Sequence, residues 1–442
     1  MILVGNGRVI TQDNLNPYIE DGCIVIKDNL IEDIGTTKEM KEKYSGYEFI
    51  DADGKVIMPG LINTHMHIYS AFARGMAVPG KPSENFSEIL ENLWWRLDKK
   101  LTLEDTKYSA YATYIECIKN GVTTVFDHHA SPYAIEDSLF TISDVAKNLG
   151  LRTCLCYEVS DRDGEEITNK GIKENMDFIR YAKQDDSDMV KAMFGLHAAF
   201  TLSDKTLDKC ASEMSGVDVG YHVHAAEGIA DLNYNLEKYN KRVVERLNDF
   251  GVLKEKTIAV HCIHINSDEM DLLKSSKSFV VHNPESNMGN AVGCSPVIEL
   301  MKKDIIVGLG TDGYTSDMFE SLKVANIIHK HQLSDPRVGF MESQQMLFEN
   351  NRKIANSYFN KELGVLKKGA YADVIVVDYI PHTPLNENSI GGHIIFGMSG
   401  RSVDTTISNG KVLMKDRKLV NVDEEGILAT SRVLSRNLWN RI

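Results

Sequence analysis

The sequence predicts an α/β chain, a (β/α)8 barrel carrying a small β-sandwich built from both chain termini. Three observations carry this. Between residues 58 and 367, apolar runs of strand length alternate with helical patterns. Those runs number eight, the repeat of a closed eight-stranded barrel. Turn-punctuated β segments stand at both ends, and neither end has enough strands to bury a sheet face alone.

The elements follow in order. Residues 1–57 hold short strands such as Cys23-Ile24-Val25-Ile26 and Leu30-Ile31-Glu32-Asp33-Ile34, divided by the turn Lys27-Asp28-Asn29. The first barrel strand runs into His65. A helix over Glu88–Leu97 carries Trp94 and Trp95, and another over Thr106–Asn120 stops at Gly121. Strands are expected at Val122–Asp127, Thr153–Tyr157, Val190–Leu196, Gly220–Val223, Thr257–His261, Phe279–His282 and Ile305–Gly310. β segments return at Gly369–Asp378 and Val403–Leu413 and complete the sandwich, so residues 1–57 and 368–420 form one composite domain. Residues 421–442 read as a helical tail that packs on the outside or on a partner subunit.

A chain of 442 residues with 43% hydrophobic content can bury a large core. A net charge of −14 argues against nucleic acid as partner. No apolar run is long enough to span a bilayer, and the N-terminus reads as a strand, not a signal peptide. Seven scattered cysteines suit a reducing cytoplasm. Cys154 and Cys156 alternate within a strand and read as core.

The chemistry gathers at strand ends, where barrels of this kind place it. Pro59-Gly60-Leu61-Ile62-Asn63-Thr64-His65-Met66-His67 ends in two histidines that share a strand face and can grip one metal ion. In Gly220-Tyr221-His222-Val223-His224-Ala225-Ala226-Glu227, His224 is the metal candidate and Glu227 the proton-transfer candidate; His222 lies a layer deeper. Thr257, Ala259 and His261 share a face, which aims His261 at the barrel mouth if that face is inward. His264 falls in the loop beyond. Asp312 aligns with Gly308 and Gly310, which leave it room, and a carboxylate there can take a proton from activated water. His197 reaches the same mouth, as does one of the adjacent pair His128 and His129. The loop His282-Asn283-Pro284-Glu285-Ser286-Asn287 supplies polar support.

Together these motifs resemble the amidohydrolase superfamily over nearly the whole chain, in its aminohydrolase and chlorohydrolase branch of guanine-, cytosine- and adenosine-type deaminases. Leu93-Trp94-Trp95-Arg96-Leu97-Asp98 and Asp127-His128-His129-Ala130-Ser131-Pro132 further resemble the SsnA-type aminohydrolases, a group associated with anaerobic purine breakdown. The resemblance implies one divalent metal per subunit, held by His65, His67, His224 and Asp312, with Glu227 and His261 handling protons and water. Three imidazoles and a carboxylate suit zinc, with iron or manganese as alternatives. Two-metal members need a lysine at the end of strand four; that position is His197, and Lys191 lies at the other end of the strand. The implied substrate is a small nitrogen heterocycle met by His197, His128 or His129, and Trp94. The implied reaction is hydrolytic deamination, with ring opening of a cyclic amide or amidine as the alternative, then dehalogenation; a non-catalytic binding homologue is the contrasting class. Homo-oligomerisation is implied too.

Overall fold

The structure, a computed structural model, describes residues 1–78 and 80–442. Its centre is a ring of parallel strands: Leu61–Met66, Val122–His129, Arg152–Tyr157, Val190–Ala192 continuing as Phe194–Ala198, Tyr221–Ala225, Ile258–His261, Phe279–His282 and Val307–Leu309. A 4-stranded and a 5-stranded ladder make up the ring, and the fourth strand is divided between them at Met193. Closure occurs where a parallel bridge pairs Met66 with Asp312. There the amides of Thr311 and Asp312 donate to His65 O at 2.9 and 3.1 Å.

Burial follows from this position. Val122–His129 and Arg152–Tyr157 are buried at every residue, as strands covered on both faces must be. The lower interior is filled by Ile62, Phe126, Cys154, Cys156, Val260 and Val281, with Ile354 and Phe359 plugging the base. The barrel is therefore a packed core with chemistry only at its upper rim. Outside it, helices begin and end where local chemistry dictates. Leu103–Lys119 starts at Thr102, whose hydroxyl accepts from the Asp105 amide while Asp105 reaches back to Thr102. It ends before Gly121, which adopts φ 75° at no steric cost.

Strands from both termini form one hydrogen-bonded sheet of 9 strands among the described residues. The join is Val56–Pro59 running antiparallel to Val374–Val377, with Ile57 opposite Val376. One apolar cluster takes Val4, Ile24 and Ile57 from the first terminus and Val374, Val376 and Ile407 from the second. The last helix, Glu424–Trp439, packs on its own barrel: Leu438 is buried beside Tyr69, Phe72 and Leu97. Trp439 Nε1 donates to Phe72 O at 2.7 Å. No helix among the described residues is long and apolar enough to cross a membrane.

Candidate active site

Strand ends bring His65, His67 and His224 together, with ligand-capable atoms all within 4.8 Å of one another. Asp312 Oδ1 lies 3.1 Å from His67 Nε2 and 3.6 Å from His65 Nε2. The outer nitrogens are already committed. His67 Nδ1 bonds His128 O at 2.6 Å and His224 Nδ1 bonds His197 O at 2.9 Å. Each carbonyl fixes a proton on Nδ1 and turns Nε2 inward, as a lone pair at His224 and against Asp312 at His67. His65 Nδ1 lies 2.9 Å from His222 Nε2, so His222 is the deeper support that the sequence suggests. His65 Nε2 is buried with no hydrogen-bond partner. Burial drives His65 down to about 3 and His224 well below the usual imidazole range, so both offer neutral nitrogens. At His67 burial opposes protonation, but Asp312 overcomes it and raises the ring to about 9. Three imidazole nitrogens and a carboxylate around one point, one nitrogen orphaned, are a donor set that fits a divalent cation.

Room for this set comes from glycine. A side chain at Gly310 would strike Asn283 Oδ1 at 2.4 Å and His65 Cβ at 3.0 Å. The space the sequence assigns to Asp312 is instead taken by Asn283 and His65 at Gly310 and by Asn351, Ile354 and Thr64 at Gly308. Asp312 itself adopts φ 56°, the left-handed region that few non-glycine residues enter.

His261 reaches the site by a route the alternation argument misses. Ile258 and Val260 fill the barrel interior, while Ala259 packs outward. The expected inward face of Thr257, Ala259 and His261 is therefore the outer one. Left-handed backbone at His261 (φ 71°) and Cys262 (φ 49°) breaks the alternation and swings the imidazole in. Its ring stacks 5.4 Å from His224, and Nε2 lies 3.4 Å from Glu227 Oε2. Asn287 Nδ2 sits 2.8 Å from His261 Nδ1, which leaves the ring proton on Nε2, an inward donor with no partner. Glu227 follows Ala226, also left-handed at φ 50°. Burial, and next the charge of Asp312, raise its carboxyl well above the usual range. Ser286 Oγ donates to Asp312 Oδ2 at 2.5 Å and accepts from Asn290 Nδ2 at 3.2 Å.

One pocket opens over these groups, lined also by His197, Trp94, Phe86 and Phe200. His128 and His129 are not among its described lining residues, a correction to the sequence reading. His128 is fully buried below, its Nε2 shared by the carbonyls of Leu196 and His222 at 3.1 Å each. His129 faces the other way and bonds Ser131 at 2.9 Å. His264 bonds Val292 O in its loop, and His282 packs on His329 outside the barrel. Lys191 pairs with Asp188 at 2.6 Å, away from this rim.

The sequence reading, which brings the Trp94–Trp95 helix to the mouth, misses Asp98 and Glu158. The helix expected over Glu88–Leu97 contains a π turn at Leu90–Trp94, which brings both tryptophans to the pocket. Glu158 follows the inward-facing Cys154 and Cys156 at the same parity, the one signal in the sequence that points it into the barrel.

Residues 56–413 match the model of the amidohydrolase family. The chain belongs to that family. Among its relatives, the 5'-deoxyadenosine deaminase of Methanosarcina mazei is 32% identical, covering 100% of this chain and 99% of its own. The 5-methylthioadenosine/S-adenosylhomocysteine deaminase of Thermococcus sibiricus is 34% identical over 93% of this chain and 94% of its own. Similar folds include a zinc-bound adenosine deaminase from Xanthomonas campestris, with TM-score 0.88 at 19% identity, covering 100% and 99% of the two chains. E. coli guanine deaminase has TM-score 0.80 at 20% identity, covering 94% of this chain and 100% of its own.

Proposed function

We propose that this chain is a metal-dependent aminohydrolase that exchanges the amino group of a purine-like heterocycle for the oxygen of water. The observation that carries this is the convergence of His65, His67, His224 and Asp312 beside Glu227 and His261, with His67, His224, Glu227 and Asp312 opening onto one aromatic-walled pocket. The deaminase names of the relatives support it. Zinc is the ion we propose, on the chemistry of the donors; iron and manganese fit the same set. A bound divalent ion would supply Lewis acidity that brings the pKa of water toward neutrality.

The chain's own groups do the rest. Asp312, held well below the usual carboxylate range by its histidine neighbours against the effect of burial, accepts the proton of the attacking water. His261 Nε2–H orients the oxygen. Glu227, kept protonated by burial, donates to a ring nitrogen beside the reacting carbon. The carbon–nitrogen bond to the amino group then breaks, the carbon–oxygen bond remains, and ammonia leaves with the transferred protons. Trp94, Trp95, Phe86 and Phe200 give flat surfaces for a ring to lie against. All seven cysteines are free, which supports a reducing, cytoplasmic setting.

The test is mass spectrometry of aminopurines and oxopurines incubated with the metal-loaded protein. Exchange of an amino group for a hydroxyl with ammonia released is expected. A product that gains a whole water and loses nothing would replace deamination by ring opening.

A further inference from the structure

Glu158 is a pocket carboxylate that the steps above leave unused. It is buried, at 6% exposure, at the end of the strand Arg152–Tyr157. His128 Nδ1 lies 3.3 Å from it, Arg162 Nη2 3.4 Å and His197 Nε2 3.7 Å. Arg162 is anchored behind by Asp98 at 2.9 Å and lies 4.8 Å over the Trp95 ring. Burial alone would favour the neutral acid, but these neighbours hold Glu158 well below the usual carboxylate range. The pocket thus presents an ionised acceptor, and no lysine or arginine appears among its described lining residues.

Position narrows the donor it meets. A Glu158 oxygen lies within 4.8 Å of a ring nitrogen of His67 and, in a second grouping, of His224. It therefore lies beside the histidines that would hold the metal, at the reacting end of the pocket. Glu227 approaches from the His261 side, at 3.4 Å from that ring, and Glu158 from the His128 and His197 side. Two carboxyl groups thus flank the ligand cluster, Glu158 paired with Arg162 and Glu227 set against His261. A ring carbon between two nitrogens matches both: an unprotonated nitrogen takes the proton of Glu227, and an N–H donates to Glu158. A ring carbon between one nitrogen and one carbon would leave Glu158 facing carbon, with no donor from the substrate on that side.

We propose that Glu158 is a specificity-determining residue that accepts a hydrogen bond from the second nitrogen on the reacting carbon, so that the preferred substrate is a cyclic guanidine. The proposal rests on the aminohydrolase reading of this site. Glu158 only accepts a hydrogen bond; the bonds made and broken stay those of hydrolysis.

Two isomers test it. Isocytosine carries its amino group on a carbon between two nitrogens, and cytosine on a carbon between nitrogen and carbon. Their binding to the metal-loaded Glu227→Gln variant is measured by calorimetry. Isocytosine is expected to bind at least about 10-fold more tightly. Glu158→Gln in the same background should cut isocytosine affinity about 10-fold and leave cytosine within about 2-fold. Equal affinities for the isomers, or a loss shared equally by both, overturns the proposal. Should the Glu158 variant fail to fold, the isomer preference of the single variant decides alone. Absence of ammonia from wild-type protein with the preference intact would remove the deaminase reading and leave the recognition standing. Deamination of cytosine as efficient as that of isocytosine would do the reverse.

Discussion

The proton positions at two of the site histidines are set by backbone carbonyls. His128 O and His197 O hold the Nδ1 protons of His67 and His224, and so aim both Nε2 atoms at one point. His65 Nε2 joins them with no other partner to satisfy it. His65→Ala should therefore lower bound metal measured by elemental analysis of purified protein, and unaltered content would remove it from the donor set. The duty proposed for Glu227 is different. Glu227→Gln keeps the shape but cannot deliver a proton, so metal content should hold while turnover falls by about 10²–10⁴-fold. Turnover within a few-fold of wild type would end its assigned role. Left-handed backbone at Ala226, His261, Cys262 and Asp312 carries a cost of about 1–3 kcal/mol at each residue. Their gathering at strand ends around the pocket fits strain held by the surrounding barrel to aim side chains.

At the scale of elements, one helix borrows its cap. Ser138–Leu149 has no capping side chain of its own at Asp137. The Glu174 carboxyl, from the helix Glu165–Lys183, accepts from the amides of Leu139 at 3.0 Å and Asp137 at 3.2 Å. Burial raises Glu174 from 4.5 to about 7. The folded state thus holds this proton more tightly than the unfolded chain. Its contribution is full below about pH 4.5 and is lost as pH rises through about 7. Glu174→Gln, which cannot ionise, should lose less melting temperature than wild type between about pH 5 and pH 8. Parallel curves for the two proteins would show that Glu174 does not carry this dependence. The strand Ile258–His261 makes a related point: its pattern is regular, yet its last residue leaves the pattern.

At the scale of the whole molecule, the barrel and the β domain are locked by a buried cation. Arg152, fully buried at the start of the third barrel strand, lies 3.4 Å from Asp373 and donates to Asn409 Oδ1 at 2.8 Å. Its guanidinium lies 3.9 Å over the Tyr371 ring, and Tyr371 donates to Asp188 at 2.7 Å. Arg152→Met should destabilise the chain by about 3–5 kcal/mol, because it leaves Asp373 charged and buried. The denaturation midpoint reads this, and an unchanged midpoint would show that the lock is not energetic.

Alternation and punctuation determined much of this protein from the sequence alone. The strand–helix repeat marks the barrel, and the positions of His65, His67, His224 and Asp312 at strand ends mark the candidate site proposed above, because burial on both faces and ligand spacing are local properties. The tertiary structure decided the remainder. A φ of 71° brings in His261 from the outward face, a π turn presents Trp95 beside Trp94, and carbonyls from neighbouring strands occupy His128. Glu158 becomes an ionised acceptor only beside His128, His197 and Arg162, each on a different segment of the chain. Periodicity reports which face a residue starts from; where its side chain ends, and with what charge, depends on neighbours distant in sequence.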